Sequence, residues 1–219
     1  MNQKPHQSAE YEFEAALGLP EPLPQGETIL WQGAPNWISM AKYVFRLQWL
    51  SLYFAVIVIW QLISVSTGEE GLAGGWSSVA LAFFLAVIGL ILIGFLAYWS
   101  ATTAMYTLTN RRIVMRVGIV LTVTFNFPYK TLSSADLKLY KDGTGDIPIQ
   151  IATEDKIAFF HLWPHVRPWR VANPEPMLRC VPDAQQVAQL LTEAWMQSTD
   201  SNNIKIEEIE VGAAGVQAA

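Results

Sequence analysis

Two long stretches without a charged residue constrain this chain more than any other feature of its sequence. No charge occurs in residues 47–68, and none occurs in residues 71–110. A helix of about 20 apolar residues crosses the roughly 30 Å hydrocarbon core of a bilayer. Charged residues make up 15% of the chain, against about 25% in ordinary soluble domains, because these two stretches contain none. The sequence therefore predicts a membrane protein.

The second stretch contains the stronger candidate for a membrane span, residues 76–99. Thirteen Val, Leu, Ile or Phe residues lie between Val79 and Tyr98, and together they favour insertion by roughly 4 to 8 kcal/mol. Trp76 and Trp99 lie at its two ends, where indole rings prefer the boundary between lipid and water. Residues 76–99 are thus predicted to cross the bilayer as one helix.

Residues 47–65 are the other candidate, interrupted by four polar side chains: Gln48, Ser51, Gln61 and Ser64. The alternative is a buried helix of a soluble domain. The length of the uncharged run and the second span close behind it favour a membrane helix. With the polar linker 66–75 between them, the two spans are predicted to form a helical hairpin within residues 42–100.

Positive charge flanks this hairpin on its outer sides. Lys42 and Arg46 precede the first span. Arg111, Arg112 and Arg116 follow the second. The linker contains two glutamates and neither lysine nor arginine. Because positively charged flanks stay on the cytoplasmic side, we expect a multi-pass membrane protein with both termini in the cytoplasm.

After the hairpin the period of the apolar residues changes to two, as in strands. The first examples are Tyr106, Leu108, Ile113, Met115 and Val117. Residues 119–127 then alternate strictly, and further strand candidates are residues 132–140, 147–152 and 157–162. Short strands separated by turn-forming residues predict an antiparallel sheet or small barrel.

The segments flanking this region extend the same domain. Residues 26–38 contain an alternating pattern, and we expect the first strand of the sheet there, separated from the others by the inserted hairpin. Pro182 and Asp183 suit the first turn of a helix, which ends a domain predicted over residues 104–197. The apolar face of this helix is formed by Val187, Leu190, Leu191 and Ala194. Residues 1–25 and 198–219 are polar and predicted to be flexible.

Several of these segments resemble known proteins. Residues 106–118, YTLTNRRIVMRVG, and residues 143–149, GTGDIPI, are similar to bacterial pleckstrin-homology-like (PH-like) domains. Residues 10–37, EYEFEAALGLPEPLPQGETILWQGAPNW, and residues 174–191, PEPMLRCVPDAQQVAQLL, resemble the PuhB family of photosynthetic-complex assembly proteins in purple bacteria. This resemblance extends over nearly the whole chain, from about Glu10 to Trp195.

The resemblance implies both a fold and a function. The expected fold is an α+β membrane protein, with a two-helix transmembrane hairpin inserted in an antiparallel PH-like β-barrel or sandwich capped by a C-terminal helix. The expected function is that of a non-catalytic factor that helps to assemble the photosynthetic reaction centre and light-harvesting 1 complex in the intracytoplasmic (chromatophore) membrane. Its expected partners are reaction-centre subunits, light-harvesting 1 components and membrane lipids, while formation of a homo-oligomer is left open.

Four basic residues near the end of the second span are candidates for binding a lipid or partner: Arg111, Arg112, Arg116 and Lys130. Contact with anionic headgroups would contribute about 1 kcal/mol per residue near the surface. The alternative is an ordinary positive-inside bias with solvated strand faces. A membrane-anchored adaptor that binds anionic lipid headgroups is therefore the second functional hypothesis.

His161 and His165 are the remaining candidates for ligands, since a spacing of four on a helix presents two imidazoles together. Pro164 lies between them and disfavours that helix, so structural histidines are the preferred interpretation and no cofactor is expected. The chain contains no nucleophile elbow, phosphate-binding glycine loop or HExxH motif, which makes an enzyme the least favoured hypothesis. A net charge of −5 argues against nucleic-acid binding.

Overall fold

The computed structural model describes residue 19 and residues 22–68, 72–119, 121–152 and 158–199. The chain divides into two compact units, of which one is inserted into the other. The inserted unit is Asn36–Thr102, and the second unit combines the two flanks, Met1–Pro35 and Thr103–Ala219. Most of the predicted flexible arm and tail lies outside the described residues, although Leu19 is buried and a helix continues to residue 199.

The inserted unit is helical. Its first helix, α1 (Trp37–Ser39), is capped by Asn36, whose Oδ1 accepts from the amides of Ile38 (3.0 Å) and Ser39 (3.1 Å). A π-helical turn, Met40–Val44, leads to α2 (Leu47–Ser66), and α3 follows at Leu72–Thr102. The helices α2 and α3 are both long and apolar enough to cross a membrane.

The apolar side chains of α2 and α3 are mostly not covered by protein. In the most apolar window of each helix, only 6% of the residues of α2 and 11% of those of α3 are buried. Exposed examples are Leu52, Val56, Trp60, Phe84 and Leu92. The core helix of a soluble domain would instead be largely buried, so the described residues do not favour that alternative for 47–65.

The first sheet contains strands from both sides of the inserted unit. Its four antiparallel strands follow in the order β1 (Ile29–Gly33), β2 (Met105–Thr109), β3 (Arg112–Val117) and β4 (Val123–Pro128). Strand β1 pairs with β2 in the register Trp31↔Leu108 and Gly33↔Tyr106. A strand that precedes the helices thus joins the sheet that follows them.

The second sheet is built around one long strand. Strand β7 (Gly145–Ile151) pairs antiparallel with β5 (Leu132–Ala135), β6 (Lys138–Leu139) and β8 (Met177–Val181). A short helix, α4 (Phe159–Leu162), lies between β7 and β8 in the chain. The C-terminal helix α5 covers residues 184–199.

Both sheets and α5 share one hydrophobic core. Its members include Tyr106 and Met115 from the first sheet, Ile147 and Leu178 from the second, and Leu191 from α5. The described strands form two open sheets rather than a closed barrel, which corrects the barrel form of the prediction. The α+β class, the antiparallel pairing and the C-terminal helix are confirmed.

Some strand predictions were wrong in their details. The described part of 157–162 forms α4 instead of a strand, and its Phe160 is exposed. Strand β4 begins only at Val123, because a turn carries Leu121 into solvent with 81% of its surface exposed. The predicted strand over 132–140 is divided into β5 and β6. Strand β8 was missed because all five of its side chains are buried, which leaves no alternation to recognise.

Candidate functional site

The residues just before β1 are fastened to the turn between β2 and β3. Asn110 donates from Nδ2 to the Gly26 carbonyl oxygen (3.0 Å) and accepts through Oδ1 from the Thr28 amide (3.1 Å). Arg112 donates through Nε to Glu27 Oε1 (2.8 Å) and through Nη2 to Glu27 Oε2 (3.1 Å). The Glu27 side chain is only 2% exposed, so this two-point ion pair is well shielded on its acidic side. Arg112, a predicted site residue, thus holds β1 on the sheet.

The four predicted basic residues do not form one surface. Arg111 and Lys130 are exposed, and the Tyr129 amide donates to the Arg111 carbonyl oxygen (3.1 Å), so both lie at one end of β3. Arg116 is half-buried near the other end of that strand, roughly 17 Å further along. Lipid or partner binding by Arg111 and Lys130 stays a prediction, whereas Arg112 is engaged in its ion pair.

His161 and His165 lie in different surroundings. His161 is exposed in the last turn of α4. His165 is buried, and its Nδ1 lies 2.5 Å from the hydroxyl oxygen of Tyr106 in a hydrogen bond that ties this segment to β2. Within the described ranges, no three His, Cys, Asp or Glu side chains are placed together to hold a metal ion. His165 therefore acts as a structural histidine.

A buried polar network that the sequence did not reveal joins β2, β7 and β8. Asp146 accepts from the Cys180 amide through Oδ1 (2.9 Å) and from the Tyr140 hydroxyl through Oδ2 (2.6 Å). The Arg179 amide donates to the hydroxyl oxygen of Tyr106 (3.1 Å). Burial raises the pKa values of Tyr106, Tyr140 and the Cys180 thiol, and the negative charge of Asp146 raises each further. Since these three groups keep their protons at neutral pH, the network stabilises the fold and offers no reactive thiolate.

An apolar cleft of about 280 Å³ lies between α2 and α3. Its lining includes Phe54, Ala55 and Val58 of α2 and Phe83 and Val87 of α3. Such a cleft can take up the side chains of another apolar helix or part of a lipid tail, because small residues permit close approach in a bilayer. The hairpin therefore offers an apolar binding surface.

A second surface was missed, and its first residues were included in the predicted strand 157–162. Residues 158–173, hereafter the aromatic segment, follow β7 and contain α4. They leave four large apolar side chains exposed: Phe160, Trp163, Trp169 and Val171. The letters FFHLWPHVRPW already show this density of aromatic residues. Only the structure shows that the side chains are not used by the core.

The family described as Bacterial PH domain matches residues 47–195. The chain belongs to that family. The match begins at α2 and ends within α5, so it includes both long helices and every described strand except β1. Strand β1 is nevertheless part of the sheet, held there by its pairing with β2.

One relative extends the resemblance beyond that match. A Rhodobacter capsulatus protein, named an uncharacterized 23.7 kDa protein in the puhA 5′ region, is 36% identical over 189 residues. The alignment covers 84% of this chain and 87% of the relative. No solved structure matches the chain. The resemblance suggested by the sequence is thus confirmed at the level of the family.

Proposed function

We propose that this chain is a non-catalytic, membrane-anchored assembly factor for the photosynthetic reaction centre and light-harvesting 1 complex. The observation that carries the proposal is the relative from the puhA 5′ region, which aligns along nearly all of both chains. The name of this relative places it in the puhA 5′ region, which associates it with photosynthesis genes. The chain's own resemblance to assembly proteins over residues 10–195 points to the same role.

The exposed hairpin supports the membrane part of the proposal. Trp49, Val56, Phe84 and Leu92 would each be exposed to water if α2 and α3 were not in lipid. Exposing one such side chain costs about 1.5–3 kcal/mol relative to burying it, and the two helices carry many of them. Lys42 and Arg111 lie on the outer flanks of the hairpin. In the intracytoplasmic membrane, the hairpin would therefore place both termini on the cytoplasmic side.

The two units suggest a division of labour. The cleft between α2 and α3 would receive an apolar helix of a newly inserted reaction-centre subunit. The PH-like unit would hold extramembrane surfaces of the same subunit until the light-harvesting ring closes. Neither role needs a catalytic group, because binding alone keeps an unassembled subunit from associating wrongly.

The first experiment is cross-linking in photosynthetic membranes, followed by isolation of the tagged chain and identification of the attached proteins. We expect reaction-centre or light-harvesting 1 subunits to be attached while the complexes are being made. Deletion of the gene should lower the amount of assembled complex. Normal assembly without the chain, together with no attached subunit, would refute the proposal.

A matched pair of variants tests the role of the cleft. Ala55→Phe fills the cleft, whereas Val56→Phe enlarges the neighbouring exposed residue on another face of α2. We expect the first substitution to reduce subunit capture and the second to leave it unchanged. Equal capture by both variants would show that the helices bind elsewhere.

One observation favours the second hypothesis, an adaptor for anionic lipid headgroups. Arg111 and Lys130 are exposed at the same end of β3, where they could contact one phosphate-bearing surface. The double variant Arg111→Ala, Lys130→Ala would then weaken association of the reconstituted chain with anionic lipid. Unchanged association would leave the assembly role as the better account.

A further inference from the structure

The aromatic segment exposes more apolar surface than folding alone explains. Trp169 is 95% exposed, Phe160 85%, Val171 64% and Trp163 44%. Each of these side chains forgoes the stabilisation that burial in the core would give it. Several large exposed apolar side chains on one short segment are typical of a surface that binds something.

The segment is held in place rather than loose. Leu162, His165 and Val166 are buried between its exposed side chains. The Met177 amide donates to the His165 carbonyl oxygen (3.0 Å), and the Arg167 amide donates to the carbonyl oxygen of Glu175 (2.9 Å). The exposed rings therefore project from a base that is fixed to the edge of β8, and binding would require little ordering of the backbone.

Positive charge accompanies the exposed rings. Residues 158–173 contain two arginines, two histidines and no Asp or Glu, in a chain whose net charge is −5. Arg167 and Arg170 both contact the Glu175 carboxylate, at 2.9 and 3.0 Å. The side chain of Glu175 is 7% exposed, while those of Arg167 and Arg170 are 40% and 50% exposed, so the arginines lie on the outer side of the pairs. Asp136 is a further carboxylate among the described residues, at 4.0 Å from Arg167.

This combination fits a lipid surface. Tryptophan places an apolar ring and a polar N–H at the boundary between lipid and water, and arginine binds phosphate through several N–H groups. Only residues 103 and 104 separate α3 from β2, so a membrane-spanning α3 would keep this unit tethered within reach of the bilayer. The inference rests on the membrane anchoring in the proposed function.

We propose that the aromatic segment is an interfacial docking element, which inserts Phe160, Trp169 and Val171 at the headgroup level of an anionic phospholipid bilayer. Arg167 and Arg170 would contact the lipid phosphates. This site differs from the predicted basic residues, which lie in the turn between β2 and β3, on β3 itself and in the turn after β4. A bound bilayer would fix the orientation of the PH-like unit and so determine which of its faces meets a partner.

The experiment measures the depth of the segment in lipid with the full chain. Cys180 is buried, so a cysteine introduced by Val171→Cys can be labelled selectively with an environment-sensitive fluorophore. The chain is placed in nanodiscs of phosphatidylcholine and phosphatidylglycerol that contain a lipid with a nitroxide at headgroup depth. Lys141→Cys, in an exposed turn, serves as the control position. We expect quenching at position 171 to exceed that at 141 by about threefold.

Variants then identify the side chains responsible. In the Val171→Cys background, Phe160→Ser with Trp169→Ser should reduce the quenching to the level of the control position. Leu121→Ser removes an equally exposed apolar side chain elsewhere and should leave the quenching unchanged. Because the altered side chains are exposed, circular dichroism should show the same fold in each variant.

The outcomes separate this inference from the proposed function. A chain that stays embedded in nanodiscs but shows equal quenching at both positions would overturn the docking element alone. The inference would also be overturned if the fluorophore at position 171 entered an apolar environment only when other membrane proteins are present, since the surface would then bind protein. Release of the whole chain from the bilayer by alkaline carbonate would contradict the membrane anchoring itself.

Discussion

Arg112 and Glu27, 85 residues apart in the chain, form a two-point ion pair that joins the two flanks of the inserted helical unit. The pair fixes the chain just before β1 to the start of β3, on the other side of β2. It explains how a strand that precedes some seventy residues of helix and connection finds its place in the sheet. Closing a loop of this length costs conformational entropy. That cost increases only with the logarithm of the loop length, so a long insertion is tolerated.

Breaking this ion pair should destabilise the PH-like unit. Arg112→Ala leaves the Glu27 carboxylate buried without its partner, and we expect a loss of about 3 kcal/mol in the free energy of unfolding. Denaturant unfolding in detergent measures this loss. Hydrogen exchange of the Ile29–Gly33 amides shows whether β1 is released from the sheet. The adjacent exposed Arg111→Ala is the control and should change stability by less than about 0.5 kcal/mol. Equal losses would contradict the structural role of Arg112.

The stability of the unit should fall at alkaline pH because of its buried tyrosines. Burial raises the pKa values of Tyr106, Tyr129 and Tyr140 above the usual 10.0. Above pH 10.0 the unfolded chain loses these phenolic protons while the folded chain keeps them, so the free energy of unfolding decreases as the pH rises. Below that pH their contribution is fully present.

Absorbance of phenolate near 295 nm checks this prediction. At about pH 11 the folded chain and the Tyr106→Phe variant should show the same phenolate signal, since Tyr106 does not titrate before unfolding. Tyr106→Phe also removes hydrogen bonds to His165 and from Arg179, so it should cost about 1–2 kcal/mol at neutral pH. A smaller phenolate signal in the folded variant would show that Tyr106 ionises normally.

Gly118 should not tolerate a side chain. Its φ is +131°, and a Cβ there would lie 2.0 Å from the carbonyl oxygen of Leu121. Gly118→Ala should therefore cost more than about 2 kcal/mol, measured as a shift in the denaturant midpoint. Gly143 also has a positive φ, +81°, but nothing lies within 4 Å of its added Cβ. Gly143→Ala should cost only about 1 kcal/mol, and a larger loss there than at Gly118 would contradict the geometry.

The packing of α5 gives a fourth prediction. Leu191 is 2% exposed and belongs to the core shared with both sheets. Leu191→Ala should reduce the free energy of unfolding by about 2–4 kcal/mol, because it removes apolar contacts and leaves a cavity. Leu121→Ala, at an 81% exposed position, should change it by less than about 0.5 kcal/mol. If the two variants unfold alike, α5 does not cover the core.

Local patterns foretold some elements well. The alternation at Ile113, Met115 and Val117 corresponds to β3, and the spacing of Val187, Leu191 and Ala194 corresponds to the buried face of α5. These elements were recognisable because their core-facing positions are all apolar, whereas polar residues such as Arg112 and Arg116 occur on the opposite face. Strand β8 has no exposed face, so its sequence carries no period.

The candidate site was less predictable. Arg112 was grouped with Arg111 by proximity in the sequence, but its partner Glu27 lies in a segment far away in the chain. The first residues of the aromatic segment were assigned to the predicted strand 157–162, and its later residues were assigned to no element. Whether Phe160 or Trp169 is buried depends on what the rest of the chain covers, which no short stretch of letters contains.

The sequence by itself determined the two apolar helices, the strands with alternating apolar residues, and the family. The length of an apolar stretch, the period of its apolar residues and its local motifs are properties of neighbouring residues. Only the tertiary structure decided that the strands form two open sheets and that Arg112 is paired with Glu27. These features depend on contacts between residues distant in the chain, whose energies appear only once the backbone has brought the groups together.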